Sequence, residues 1–146
     1  MNPIVYLAGP VRNLDDGGLS WRQKAREVLE PYYDIESPLD KYNPSVDDVE
    51  VVDQSFPQDD SRVAYWHIVR SDKQQIKKSD ILFVGHKDVQ MIGTPMEVMY
   101  AFERDIPIVI WDMNNVGEEN MSPWFRTHAD VIESDLQSLA VAMGSL

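Results

Sequence analysis

Two short segments of this chain are almost wholly apolar, and they restrict the possible folds more than any other feature. They run from Ile81 to Gly85 and from Ile106 to Trp111, and each leads into a loop of polar residues. Strands that are apolar on both faces are typical of the centre of a parallel sheet covered by helices on both sides. The sequence therefore predicts an α/β protein.

Helical patterns alternate with these strands and with three weaker ones along the whole chain. The weaker strands are predicted at 3–8, 33–36 and 130–133, and the main helices at 20–30, 60–78, 94–104 and 134–143. Right-handed crossovers leave few topologies for such a chain. We expect residues 1–146 to form a single domain, a flavodoxin-like three-layer sandwich with a five-stranded parallel sheet in the order 2-1-3-4-5. Ligands then bind at the switch point between the first and third strands.

The charge balance argues against a polyanionic partner. The chain carries 25 acidic and 13 basic residues, for a net charge of -12, and no cluster of lysine and arginine. Proteins that bind nucleic acid polymers usually present a basic face. We therefore expect a small-molecule ligand and no nucleic acid.

Several features that the sequence lacks restrict the chemistry and the cellular location that we expect of the protein. There is no cysteine, which excludes thiol catalysis, and the three histidines, His67, His86 and His128, lack metal-ligand spacing. We expect neither a metal nor a cofactor. The first residues lack a basic-then-apolar pattern, and no apolar run approaches the roughly 20 residues that span a bilayer. A cytoplasmic protein without membrane contact is the expectation.

Glu97 is the first candidate for a reactive group, because it follows Gly93-Thr94-Pro95 at the start of a predicted helix. One interpretation is structural: Thr94 and Glu97 have the spacing of a capping box, with Pro95 at the first helical position. The other is functional. The helix dipole favours an ionised carboxylate, Gly93 allows a ligand to approach the backbone, and such a carboxylate can act as a nucleophile.

Asp72 is the second candidate, because it lies on an apolar stripe. Ile68, Asp72 and Ile76 are spaced four apart, so they share one face of the predicted helix. A buried aspartate is either paired with a neighbouring segment or an acid/base group whose pKa is raised by burial. Tyr6 lies near the end of the first strand, where it is either core packing or part of the crevice.

The loops around the crevice supply further candidates. Gly9 follows the first strand, and Arg12 next to it is either a surface charge or an anion contact. The segment from Asn120 to Phe125 combines aromatic and polar residues, and several methionines lie in nearby loops. These side chains either fill the core or form an oligomer interface, and the composition favours the interface.

Four motifs together resemble the nucleoside 2-deoxyribosyltransferase family, which includes the 2'-deoxynucleoside 5'-monophosphate N-glycosidases. The resemblance covers nearly the whole chain. The motifs are a first strand with a glycine loop at Ile4–Pro10, a D-x-x-x-I-x-x-x-D pattern at Asp72–Asp80, a G-x-x-x-E-x-x-x-A helix at Gly93–Ala101 and an N-x-x-x-W segment at Asn120–Trp124.

The resemblance implies a role for each matched residue. Glu97 would attack the anomeric carbon of a 2'-deoxyribosyl group, Asp72 would assist protonation of the leaving base, and Tyr6 would hydrogen-bond and orient Glu97. Asn120 would reach the sugar in a neighbouring subunit's site, so the protein would be a homo-oligomer. Ser122 and Arg12 are the candidates for contact with a phosphate.

One position departs from the family pattern. The transferases carry an aspartate just before the nucleophile helix, but Met91 stands at that spacing here, and Asp88 is the nearest carboxylate that could replace it. The predicted activity is transfer of deoxyribose from a 2'-deoxynucleoside to a free nucleobase, with no cofactor. Hydrolysis of a 2'-deoxynucleoside 5'-monophosphate, or nucleotide binding without catalysis, are the alternatives. The polar segment 39–59 is a candidate lid that would exclude water.

Overall fold

The computed structural model describes residues 2–11, 14–40 and 61–146, with side chains in the last range from residue 67 onward. Arg12 and most of the predicted lid lie outside the described residues. The strands are β1 (Ile4–Ala8), β2 (Asp34–Glu36), β3 (Ile81–His86), β4 (Ile108–Asp112) and β5 (Val131–Glu133). The helices are α1 (Leu19–Leu29), α2 (Ser61–Lys78), α3 (Gly93–Phe102), α4 (Pro123–Arg126) and α5 (Leu136–Met143), with a 3-10 turn at Glu118–Asn120.

The five strands form one sheet in the order β2-β1-β3-β4-β5, and every pairing is parallel. The register places Tyr6 beside Leu82, and Gly85 beside Trp111. The predicted flavodoxin-like fold, with its strand order, is therefore confirmed. β2 pairs with one edge of β1, and β3 pairs with the other. The direction in which strands are added therefore reverses at the β1–β3 pair, which makes this pair the switch point of the sheet.

Side chains of the central strands alternate between two hydrophobic clusters, as the pleat of a strand requires. Tyr6, Leu82 and Val84 face one cluster, which α2, α3 and α4 cover. Val5 and Phe83 face the other, which α1 and α5 cover. Tyr6 and Glu97 therefore belong to the same side of the sheet.

A crevice lies at the carboxyl ends of β1 and β3, between the N-terminal ends of α1 and α3. Gly9 follows β1 at this edge, and α3 begins at Gly93 after the loop that leaves β3. This crevice is where the sequence placed the candidate site. Within the described ranges, no helix is both long and apolar enough to cross a membrane.

Candidate functional site

A hydrogen bond joins the two residues that the motifs placed on different elements. The Tyr6 hydroxyl donates to Oε2 of Glu97 at 2.9 Å, across 91 positions of the chain. Tyr6 is fully buried, whereas Glu97 is half-buried on the second turn of α3. An ionised carboxylate only accepts hydrogen bonds, so the tyrosine proton must point at Glu97 and restrict the orientation of its carboxylate.

The capping-box interpretation of Glu97 does not describe this helix. The helix begins at Gly93, Ile92 is its N-cap residue, and no side chain caps it. Thr94 is the second residue of the helix and is buried. Since Thr94 lies inside the helix, it cannot form the reciprocal bonds of a capping box with Glu97.

Asp72 lies on the face of α2 that turns toward the sheet. It is half-buried, one turn before the buried Ile76. Its negative charge acts on Tyr6 and raises the pKa of that hydroxyl. The structure therefore brings Asp72 into electrostatic range of the Tyr6–Glu97 pair, which is where an acid/base group would be useful.

Tyr6 stays protonated under ordinary conditions. Burial raises the pKa of Tyr6 well above its ordinary value, and the charges of Glu97 and Asp72 and the hydrogen bond to Glu97 raise it further. The positive charge of Arg22 acts in the opposite direction. Because the neutral hydroxyl is the form that can donate, these effects keep Tyr6 in its hydrogen-bonding state.

The indole of Trp21 packs against the two glycines at the strand ends. A Cβ at Gly85 would lie 2.5 Å from Cζ3 of Trp21, and a Cβ at Gly9 would also overlap the ring. The Trp21 Nε1 donates to the carbonyl of Pro10 at 3.5 Å. The ring therefore packs between α1 and the ends of β1 and β3, on the α1 side of the crevice.

The segment between β4 and α4 carries two more candidates, and both have local partners. Asn120 is exposed, and its Nδ2 donates to the carbonyl of Val116 at 2.8 Å. Ser122 caps α4, because its Oγ accepts from the backbone N–H of Trp124. The buried Asp112 holds this loop through bonds from the N–H groups of Val116 and Gly117.

The candidates in the loop before α3 differ in how far they are buried. Met91 is half-buried and packs against the Tyr6 cluster. Asp88 is exposed, and its backbone N–H donates to Oδ1 of Asn114 at 2.6 Å. Gly93 is exposed with open space around its Cα, since a Cβ there would meet nothing within 4 Å.

Two groups near this edge were not singled out by the sequence analysis. Arg22 is 3% exposed despite its charge. Its spacing from Ala25 and Leu29 places it on the buried face of α1, a signal that the helical period contains. His86 is the last residue of β3, and its ring packs edge-on against Phe125 with the ring centroids 5.1 Å apart. Burial lowers the pKa of His86, although Asp112 and Asp88 act in the opposite direction.

The structure thus brings Glu97 and Asp72 into electrostatic range of Tyr6. It leaves Asn120, Ser122 and Asp88 exposed on neighbouring loops of the described chain. Across residues 2–11, 14–40 and 61–146, no group of three or more His, Asp or Glu side chains is arranged to hold a metal ion.

Similarity to known proteins is found at the level of structure. A 2-deoxyribosyltransferase from the psychrotolerant bacterium Bacillus psychrosaccharolyticus matches with a TM-score of 0.73 and 19% identity, over 94% of this chain and 90% of that one. A 2-deoxyribosyltransferase from Leishmania mexicana matches with a TM-score of 0.50 and 14% identity, over 76% of this chain and 65% of that one. No protein-family model and no curated protein matches the sequence. This chain therefore has the fold of 2-deoxyribosyltransferases.

Proposed function

We propose that this protein is a nucleoside 2-deoxyribosyltransferase that works through a covalent deoxyribosyl-Glu97 intermediate. The observation that carries the proposal is the hydrogen bond from Tyr6 to Glu97 at the switch point of the sheet. The shared fold and the four sequence motifs support it. Nucleotide binding without catalysis would be favoured by a Glu97 locked as a helix cap, and no side chain caps this helix.

The proposed reaction gives the two carboxylates different roles. The Glu97 carboxylate attacks the anomeric carbon, a carbon–oxygen bond forms, and the electrons of the glycosidic bond pass to the base nitrogen. Asp72 in its protonated form supplies the proton that the departing base needs. An acceptor base then attacks from the opposite face, returns its proton to Asp72, and displaces Glu97. Two inversions give overall retention.

The substrate class follows from the chemistry of the sugar. A 2-deoxy sugar lacks an electron-withdrawing 2'-hydroxyl, so its oxocarbenium-like transition state is more accessible than that of a ribosyl group. Tyr6 holds Glu97 for attack while the negative charge of the carboxylate stabilises the positive charge that develops on the sugar. Asp88 is our candidate for the carboxylate that holds the sugar, because Met91 cannot accept a hydrogen bond of that strength.

The test of this proposal is a product assay with and without an acceptor. The protein is incubated with a 2'-deoxynucleoside and then with a 2'-deoxynucleoside 5'-monophosphate, each with or without a second free nucleobase. Exchange that depends on the acceptor is the expected result. Free base that appears without an acceptor, above all from the monophosphate, would instead identify an N-glycosidase. Met91 stands where the transferases carry an aspartate, and this departure is the reason that the monophosphate is included as a substrate.

We also propose that the working form is a homo-oligomer. Three large apolar side chains near α3 and α4 are exposed. The exposed fraction is 70% for Ile92, just before α3, 69% for Met96 on α3 and 59% for Trp124 on α4. Such residues are enriched in interface cores and are costly to leave in water. Asn120 and Ser122 adjoin Trp124 in sequence, so pairing through this surface would bring Asn120 toward the site of another copy.

A shared site predicts complementation between two inactive variants. Glu97→Gln and Asn120→Ala homo-oligomers should each lose most of their exchange activity. If Asn120 serves a partner's site, random mixed dimers regain one intact site, and we expect roughly a quarter of wild-type activity after mixing. The measurement is the exchange rate after the two variants are co-refolded, with sedimentation velocity as the check on assembly. A mixture that stays inactive although mixed dimers form would contradict a shared site.

A further inference from the structure

Arg22 is a buried cation at the edge of the site. Its side chain lies on the first turns of α1, and it is 3% exposed. Charged side chains are rarely buried so deeply without a specific purpose, because their desolvation is costly. Burial lowers the pKa of Arg22 to about 10, so the guanidinium remains positively charged at neutral pH.

The guanidinium ties together both ends of the loop that follows β1. Nη2 donates to the carbonyl of Gly9 at 3.0 Å, and Nη1 donates to the carbonyls of Pro10 at 3.3 Å and Gly18 at 3.2 Å. Gly18 has a φ of 80°, which favours glycine, and a Cβ there would overlap Nη1 of Arg22. Gly9, Pro10 and Gly18 are therefore held by the same side chain.

The same positive charge acts on the site. Glu97 is the neighbouring group that most opposes the lowering of the Arg22 pKa, followed by Tyr6, Asp72 and Asp16. The attraction is mutual, so Arg22 also favours the ionised form of Glu97. Without a cation, the partly desolvated surroundings would favour a protonated Glu97, which is a poor nucleophile.

We propose that Arg22 is a positioning residue for the Glu97 site: it holds the loop after β1 in place and supplies the buried positive charge that keeps the Glu97 carboxylate ionised. The inference rests on the proposed function in one respect, that the ionised form of Glu97 is the reactive one. It adds a residue on α1, an element to which the four motifs assign no role.

The test compares two substitutions at Arg22 that separate charge from hydrogen bonding. Arg22→Gln removes the charge and keeps an amide donor, whereas Arg22→Lys keeps the charge and loses the forked donor group. The pKa of Glu97 is measured by NMR titration of carbon-13-labelled glutamate carboxyls, with Glu97→Gln to assign the signal. Removal of a nearby opposite charge should raise the pKa of Glu97 by about 1 in Arg22→Gln. The change in Arg22→Lys should be much smaller.

Arg26 offers a matched control on the same helix. It pairs with Glu30 at 3.4 Å and with Asp40 at 2.8 Å on the surface, so Arg26→Gln removes a charge from α1 without touching the crevice. The Glu97 titration in this variant should match wild type. A Glu97 pKa that is unchanged in Arg22→Gln, or that moves equally in Arg22→Gln and Arg26→Gln, would overturn the proposal.

The pH profile of kcat/KM gives a second readout. Its acid limb should move upward with the Glu97 pKa in Arg22→Gln but stay in place in Arg22→Lys, where loss of the loop bonds should appear as a several-fold higher KM. If Arg22→Gln does not fold, Arg22→Lys still decides the matter, because a raised Glu97 pKa in the variant that retains the charge contradicts the inference. Since the NMR titration needs no turnover, a protein that is inactive but shows the expected Arg22 effect refutes only the proposed reaction.

Discussion

Replacement of Glu97 with glutamine is expected to lower the exchange rate on the order of 10⁴-fold or more, the scale that loss of a catalytic nucleophile produces. Glutamine has nearly the same shape, and its amide oxygen can still accept from the Tyr6 hydroxyl. It lacks the negative charge that attacks and stabilises the sugar cation, so the fold should survive while the chemistry fails. Steady-state rates of base exchange give the size of the loss.

A direct search for the covalent intermediate makes this test more specific. Intact-mass spectrometry of wild-type protein mixed with donor, without acceptor, should show an added deoxyribosyl group that is absent in Glu97→Gln. Glu103→Gln is the matched control, because Glu103 is exposed at the carboxyl end of the same helix. A Glu97→Gln protein with near wild-type activity would rule out both transfer and hydrolysis through this residue.

Replacement of Gly85 with alanine is expected to lower the free energy of unfolding by about 2–3 kcal/mol, as overpacking of a well-packed core does. The new Cβ would lie 2.5 to 2.7 Å from three atoms of the Trp21 ring. β3 is paired with β1 and β4 on its two edges, so its backbone cannot retreat. The indole must therefore move, although it is wedged against Gly9 as well. Urea denaturation monitored by circular dichroism measures the change.

Two comparisons identify the Trp21 ring as the cause. Gly93→Ala adds the same methyl group where nothing lies within 4 Å, so its stability should stay within about 1 kcal/mol of wild type. In a Trp21→Leu background the ring is gone, and the cost of Gly85→Ala should fall well below its cost in wild type. Equal costs in the two backgrounds would show that the ring is not the obstacle.

Much of the fold could be predicted because it rests on local periodicity. The apolar runs at β3 and β4 indicated central parallel strands, and the observed bounds differ from the expected ones by at most two residues at each end. The helix that carries Glu97 was expected from Thr94, but it begins at Gly93, and this difference removes the capping box. Helix ends depend on how the preceding loop leaves the sheet, and local sequence does not contain that information.

Most of the candidate site was predictable from the sequence, but Arg22 was not. The motifs singled out Tyr6, Asp72 and Glu97, and the fold brings them together at the switch point. Arg22 was not singled out, although its spacing from Ala25 places it on the buried face of α1. A buried arginine is so unusual that an arginine on an apolar stripe is normally assigned to the surface, and only packing shows otherwise.

The amino-acid sequence by itself determined the alternation of elements, the parallel sheet and the placement of a glutamate at a helix start near the strand ends. These features follow from the period of apolar residues and from the positions of glycine and proline, which act over a few neighbours. The tertiary structure shows the Tyr6–Glu97 hydrogen bond that the resemblance implied, and it alone decided that Trp21 and Arg22 bond to the segment after β1. Those contacts join residues from separate elements, and strand order with crossover geometry sets which of them meet.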